Sequence, residues 1–283
     1  ESTQPSITID GLTPASVYTY QIRYYKYPES KIYSAYSVSF TALTSVKKVT
    51  GLKVTELKAN ESQANVVLSW DVQGDASYQI YYKKKTDTDF VYAGETSSNT
   101  YTIDGLECTK DYVIRVRAFF TSTDYTGEFS DNLQVVTCPA MISGLKVTSA
   151  TTNQLDISWN ANTEAPYYYV YRSVNGSEYT LYTTTASNSL SDTGLNAGTV
   201  YSYKVCAWYE AANLFGPQAE LRCVTNPYQV TGLTITGNTS NSITMNWDLQ
   251  SSATGYLVYR RDSTTTAWAL IGSTLETAYI DTT

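Results

Sequence analysis

Four cysteines and an abundance of tyrosine are the residues of this 283-residue chain with chemistry to offer, and histidine is absent. Without imidazole the chain lacks the commonest general base at neutral pH and the commonest metal ligand, which excludes histidine-containing triads and histidine zinc sites from it. No catalytic, cofactor-binding or metal-binding residue is expected. Acidic pairs such as Asp87/Asp89 lack the oxygen-rich spacing of a calcium loop and read as solvated turn residues. What remains is thiol chemistry at Cys108, Cys138, Cys206 and Cys223, and ring stacking by the 27 tyrosines. Tyr24, Tyr25 and Tyr27, then Tyr81 and Tyr82, then Tyr167, Tyr169 and Tyr171 are clustered. On a strand, such clusters leave some rings facing solvent, where they stack on sugar rings or pair across strands and stiffen the sheet. Pairing is the expected role. Tyr81, Tyr82, Tyr169 and Tyr171 are the candidates for ligand contact.

The elements that would position these side chains are announced by a repeat. Trp70, Trp159 and Trp247 stand 89 and 88 residues apart, each closing a strand-like apolar run: VVLSW, LDISW and SITMNW. Gly51-Leu52, Gly144-Leu145 and Gly232-Leu233 recur at nearly the same interval, as do Tyr18, Tyr112 and Tyr201. A period of that length is one whole domain, so the chain is an array of a single module. Between Val49 and Pro139 the runs GLKVTEL, ANVVLSW, YQIYYKK, FVYAGET, TYTIDGL, DYVIRVRAFF and NLQVVT read as seven short strands without helical period. That pattern predicts an all-β chain of seven-stranded Greek-key, immunoglobulin-like sandwiches. Alternation puts Tyr112, Ile114, Val116 and Ala118 on one face of the sixth strand, and Tyr201, Tyr203, Val205 and Ala207 on the same face one copy later. These are predicted core, packed against Trp70, Trp159 and Trp247 and against the third-strand pairs Tyr78/Ile80, Tyr168/Val170 and Tyr256/Val258. The indoles are read as structural, since burying one contributes on the order of several kcal/mol.

The Gly-Leu opening, the second-strand tryptophan, the YxV third strand and a leucine followed by tyrosine six residues later (Leu12/Tyr18, Leu106/Tyr112, Leu195/Tyr201) together resemble fibronectin type III domains over the whole chain. GYLVYRR, SDTGLNAGTVYSYKV and SAYSVSF are similar to the versions found in secreted and surface proteins of Gram-positive bacteria. The resemblance implies that Tyr112 and Tyr201 are tyrosine corners, their hydroxyls bonded back to the preceding loop.

Modules are expected at 1–43 (late strands only), 44–138, 139–226 and 227–283 (early strands only). The joints CPAMIS (138–143) and NPYQVT (226–231) are short and contain proline, which predicts an extended, semi-rigid rod. The joint around Lys47-Lys48 is longer and more polar, and more bending is expected there. Truncation explains the two partial ends more simply than head-to-tail completion by a second chain, because ITID at 7–10 and AYID at 278–281 would duplicate one strand. Within a sandwich Cys108 and Cys138 meet at one pole, which predicts a disulfide. Cys206 and Cys223 lie on consecutive antiparallel strands, yet alternation points Cys206 outward and Cys223 inward, so bridging them needs a bulge; the alternative for all four is the free thiol. Disulfides would place the protein outside the cytoplasm. The net charge of −7 disfavours nucleic acid and anionic lipid as partners, and no apolar run is long enough to span a bilayer. The resulting expectation is a non-catalytic extracellular or cell-surface rod or spacer, adhesin-like, whose partner is a protein or glycan. The alternative is the accessory region of a secreted bacterial polysaccharide-degrading enzyme.

Overall fold

Alternating β-branched and aromatic residues dictate strands almost throughout, and the computed structural model, which describes residues 6–26, 32–121 and 125–282, has them. Among the described residues the helical element is a single 3-10 turn at Glu210–Ala212. The chain forms two units, residues 1–141 with 209–217, and 142–208 with 218–283.

The first unit opens with β1 (Val17–Tyr20), β2 (Tyr25–Lys26), β3 (Ile32–Tyr33) and β4 (Phe40–Leu43), in which β1 pairs with β4 and β2 with β3. A complete module follows: β5 (Lys53–Ala59), β6 (Ala64–Ser69), β7 (Ser77–Lys84), β8 (Val91–Thr96), β9 (Thr100–Leu106), β10 (Asp111–Phe119), β11 (Thr126–Phe129) and β12 (Leu133–Val136). One sheet runs β5-β6-β9; the other runs β8-β7-β10, with β11 and β12 both on the far edge of β10. The seventh strand is thus split where sequence reasoning expected only NLQVVT. Ser130 sits at the break, its N–H donating to Val116 O and its Oγ accepting from Val116 N. Alternation makes the core: in β6 Ala64, Val66 and Leu68 are buried between half-buried neighbours, and Tyr112, Ile114, Val116 and Ala118 are buried with Trp70, Tyr78 and Ile80.

The second unit carries β13 (Lys146–Ala150), β14 (Gln154–Ser158), β15 (Tyr167–Val174), β16 (Thr180–Thr185), β17 (Ser189–Thr193), β18 (Val200–Tyr209) and, after β19 (Leu214–Phe215) in the 209–217 stretch that belongs to the first unit, β20 (Ala219–Val224), with sheets β13-β14-β17 and β16-β15-β18-β20. Trp159, Tyr168, Val170, Tyr201, Tyr203, Val205 and Ala207 are buried. Then come β21 (Thr234–Asn238), β22 (Ile243–Asn246), β23 (Tyr256–Arg260), β24 (Ala269–Thr274) and β25 (Ala278–Asp281), paired β21-β22-β25 and β23-β24 around Trp247, Tyr256 and Val258.

One framework holds every copy. The Gly-Leu glycines have φ of +69°, +66° and +68° at Gly51, Gly144 and Gly232, a left-handed conformation that side chains resist. A Cβ at Gly51 would also stand 2.5 Å from the Asp71 carboxylate, which Thr50 Oγ1 clasps. Tyr18, Tyr112 and Tyr201 accept the N–H of Thr13, Glu107 and Asn196, five residues back, at 2.9, 3.1 and 3.0 Å. A second tyrosine set does the same at the next loop: Tyr78, Tyr168 and Tyr256 accept from Gln73, Asn162 and Gln250. Each of these rings meets its tryptophan edge-on at 5.2–5.3 Å. The three indole N–H groups find no protein acceptor. A lost hydrogen bond of that kind costs about 1–3 kcal/mol, which burial of the ring outweighs.

The joint at Lys47-Lys48 is not the loose one expected from its polarity. The Gln73 amide brackets it, accepting from Lys47 N at 2.8 Å and donating to Lys47 O and Lys48 O. Ala15, at φ +56° and wholly buried, accepts from Asp75 N at 2.9 Å. Gly74 permits that approach, since a Cβ there would lie 2.5 Å from Ala15 O. The polar residues of the joint therefore serve as hydrogen-bond partners between neighbouring pieces.

Candidate ligand-contacting surface

The solvent faces of the two larger sheets carry outward-facing aromatic side chains, and they are built differently. On β10 the outward positions are Arg115 and Arg117. The Arg115 guanidinium lies between Phe90 and Phe129, 3.7 and 3.8 Å from the ring centres. Burial draws its pKa below the ordinary value. Arg117 donates to Gln79 Oε1 and to the Tyr81 hydroxyl, and Tyr81 in turn packs on Tyr92 and Phe129, each at 5.3 Å. Tyr81 is thus a rung in a ladder of alternating rings and cations that closes this face over itself. Tyr82 points the other way, into the core side against Tyr112 at 6.0 Å. It shares the parity of Tyr78 and Ile80, which removes it from the ligand candidates.

The same face of the 139–226 module is a shallow aromatic recess. Tyr167 and Tyr169, two apart on β15, both meet the Trp208 ring edge-on, at 6.2 and 5.8 Å. With Thr184, Thr185 and Ala186 of the neighbouring edge they line a hollow of about 200 Å³. Tyr171 is half-buried beyond this group; burial, and then the adjacent Cys206 thiol, raise its hydroxyl pKa. Trp208 was not singled out by sequence reasoning. The available signal was parity: Ser202, Lys204, Cys206 and Trp208 alternate with the buried Tyr201, Tyr203, Val205 and Ala207, and the register sets Trp208 opposite Tyr167. In the 1–43 segment Arg23 lies over Tyr33 and Tyr36, at 4.0 and 4.7 Å. Tyr24 is exposed and Tyr25 meets Tyr33, while Tyr27 lies outside the described residues.

Charged side chains inside the modules are occupied in holding sheets together. Asp192, wholly buried, accepts two bonds from Arg172 Nη1 at 2.8 and 2.9 Å and one from the Tyr203 hydroxyl at 2.6 Å. Arg260 and Asp281 repeat the pair at 3.0 and 3.1 Å. Asp87 and Asp89 sit in a turn where each carboxylate accepts from the preceding threonine hydroxyl. No group of acidic or cysteine side chains among the described residues is placed to hold a metal ion, and none of their helices is long and apolar enough to cross a membrane.

All four cysteines are free thiols, so neither expected bridge is present. For Cys206 and Cys223 the register forbids one. Cys223 lies opposite Tyr201, five positions from Cys206, whose own cross-strand neighbour is Tyr169. At about 3.4 Å per residue that separation is roughly 17 Å, far beyond the 4.4–6.8 Å between bridged Cα atoms. They also lie on opposite faces. Cys206 is nevertheless buried rather than solvent-facing, and Cys223 donates to Tyr201 O. Cys108 and Cys138 are neighbours instead, since Thr137 Oγ1 donates to Glu107 O and accepts from Lys110 N. Burial pushes Cys108 up to about 11, with Cys138 adding to the shift.

Residues 47–136 match the family model described as Fibronectin type III domain. The chain is 26% identical over 291 aligned residues to Exoglucanase B of Cellulomonas fimi, a match that covers 95% of this chain and 25% of that protein. It is 29% identical over 150 residues to Chitinase A1 of Niallia circulans, covering 49% of this chain and 21% of the relative. It is 27% identical over 210 residues to receptor-type tyrosine-protein phosphatase eta of Gallus gallus, covering 73% and 15%. The chain thus spans a quarter or less of these relatives' length. Among solved structures, a two-domain fibronectin type III segment of chicken tenascin aligns with 62% of the chain and 99% of its own at 15% identity and a TM-score of 0.39.

Proposed function

We propose, from the premise that this chain is built of fibronectin type III domains, that it is a non-catalytic extracellular rod or spacer. The observation that carries the reading is the reuse of one framework: Gly51, Trp70, Tyr78 and Tyr112 have counterparts in Gly144, Trp159, Tyr168 and Tyr201, making the same backbone contacts. Repeating a module adds reach while leaving each core closed. Within the first unit, the bracketed Lys47-Lys48 segment favours a restricted angle between the pieces it joins. Small-angle scattering of the chain is expected to report an elongated particle, and a compact globule would overturn the reading. Incubation with cellulose or chitin is expected to release no sugar.

A second reading is favoured by the exoglucanase and chitinase matches: this stretch is the accessory region of a secreted enzyme acting on a polysaccharide. A catalytic domain with paired carboxylates encoded beside it supports this reading, and an anchor with further repeats supports the cell-surface spacer. In either setting the partner is a surface protein or a glycan.

A further inference from the structure

We infer that Tyr167, Tyr169 and Trp208 form a stacking platform for one neutral sugar ring of an insoluble glycan; this rests on the accessory-region reading above. The sister module shows what the fold requires at these places. Tyr78 and Tyr168 are equivalent, each edge-on to its tryptophan and bonded to the loop before it. The flanking Tyr167 and Tyr169 therefore correspond to Ser77 and Gln79, and the cross-strand registers carry Trp208 onto Phe119 and Thr184 onto Glu95. Phe119 is buried and Gln79 is engaged by Arg117, so the sandwich closes without tyrosines at these two positions. Tyr167 is 45% exposed, an expensive place for an aromatic ring that its module's core does not use.

The lining residues select the ligand. Its six members are three rings, two threonines and an alanine, with no charged group among them, in a chain of net charge −7. That combination gives no attraction to phosphate or carboxylate ligands. A pyranose presents one face of C–H bonds, whose partial positive charge suits the negative π-face of tyrosine or indole, and a rim of hydroxyls that Thr184 and Thr185 can bond. A hollow of about 200 Å³ is smaller than the ~300–1,000 Å³ of a site that engulfs a small molecule. It fits a surface contact to one ring of a long polymer. Such a contact is weak alone and gains by repetition along the substrate.

The test is retention of the full chain on microcrystalline cellulose and on chitin beads, comparing wild type with Tyr167→Ser, Tyr169→Gln and Trp208→Ala. The first two install the sister module's own residues, which keeps folding intact, and unchanged circular dichroism checks that it is. Expected is retention on at least one polymer, reduced roughly fivefold to tenfold by each variant, the effect of losing about one ring contact, and unchanged by Tyr81→Ser. Retention unaffected by all three variants, or lowered equally by Tyr81→Ser, overturns the platform and leaves the accessory-region reading standing. No retention on either polymer overturns the platform as well, while the gene neighbourhood still decides the reading beneath it. Retention on immobilised polyproline but on neither polysaccharide assigns the recess to a peptide and overturns the glycan.

Discussion

At the scale of single residues, hydroxyls and thiols do more than their counts suggest. Tyr112 and Tyr201 each accept one loop N–H, from Glu107 and Asn196. Tyr112→Phe or Tyr201→Phe keeps the ring and strands that donor, so each should lower stability by about 1–2 kcal/mol in urea unfolding with little change in structure. Gly51→Ala should cost at least as much, because it combines a left-handed φ with a clash against Asp71. The thiols divide by geometry. Oxidised glutathione can take two electrons and two protons from Cys108 and Cys138, which adjoin, whereas Cys206 and Cys223 are separated by five strand positions. Mass mapping after such treatment should find one internal bridge, 108 to 138, and two cysteines, 206 and 223, still reduced. Burial holds Cys206 and Cys223 at about 11, so at neutral pH native alkylation should be slow and should accelerate as pH rises. A 206–223 bridge would contradict the strand register itself.

At the scale of elements, copies of one sandwich solve the same packing problem with different chemistry. Where the 139–226 module joins its sheets through Arg172, Asp192 and Tyr203, the 44–138 module places Tyr82 and Ile103 at the corresponding positions on β7 and β9. Position by position the sequences look unrelated there, and only the sheet pairing reveals an exchange of an ion pair for an apolar one. Elsewhere the chemistry is kept: Tyr101 donates to Ala93 O across a gap that Gly94 leaves open, and Tyr279 donates to Ile271 O beside Gly272 in the same way. Alternation made the core faces legible; long-range exchanges and the outward-facing Trp208 depend on which strands are neighbours, which alternation within one strand does not encode. Removing one partner, as in Arg172→Met, leaves Asp192 buried without its counter-charge and should cost about 3–5 kcal/mol. The double change Arg172→Tyr with Asp192→Ile should recover most of that loss, and a double-mutant cycle measures the difference. Burial, and then the bond to Asp192, hold the Tyr203 hydroxyl well above its ordinary pKa. An unfolded tyrosine ionises near pH 10, so the contribution is complete below that pH and is lost as pH climbs above it. Alkaline titration followed by tyrosinate absorbance should show Tyr203 ionising only as its module unfolds.

At the scale of the whole chain, a periodic sequence implies that stability is held locally. Both complete modules bury their own tryptophan, third-strand tyrosine and alternating sixth-strand residues, and the indole interval alone was enough to read that repetition. What the interval could not convey was the behaviour of the joints, because polar residues around Lys47-Lys48 look like a flexible tether until the Gln73 amide is seen to bind their backbone. Local cores predict local damage. Trp70→Ala removes a large buried ring and should cost about 3–5 kcal/mol. For a domain of this size that lowers one melting transition by at least about 10 °C. Calorimetry of the variant should show that transition displaced and the one belonging to the 139–226 module unmoved, with Trp159→Ala giving the reciprocal pattern. If either substitution shifted both transitions together, the two modules would share one cooperative unit, and the spacer reading would lose the independence on which it is built.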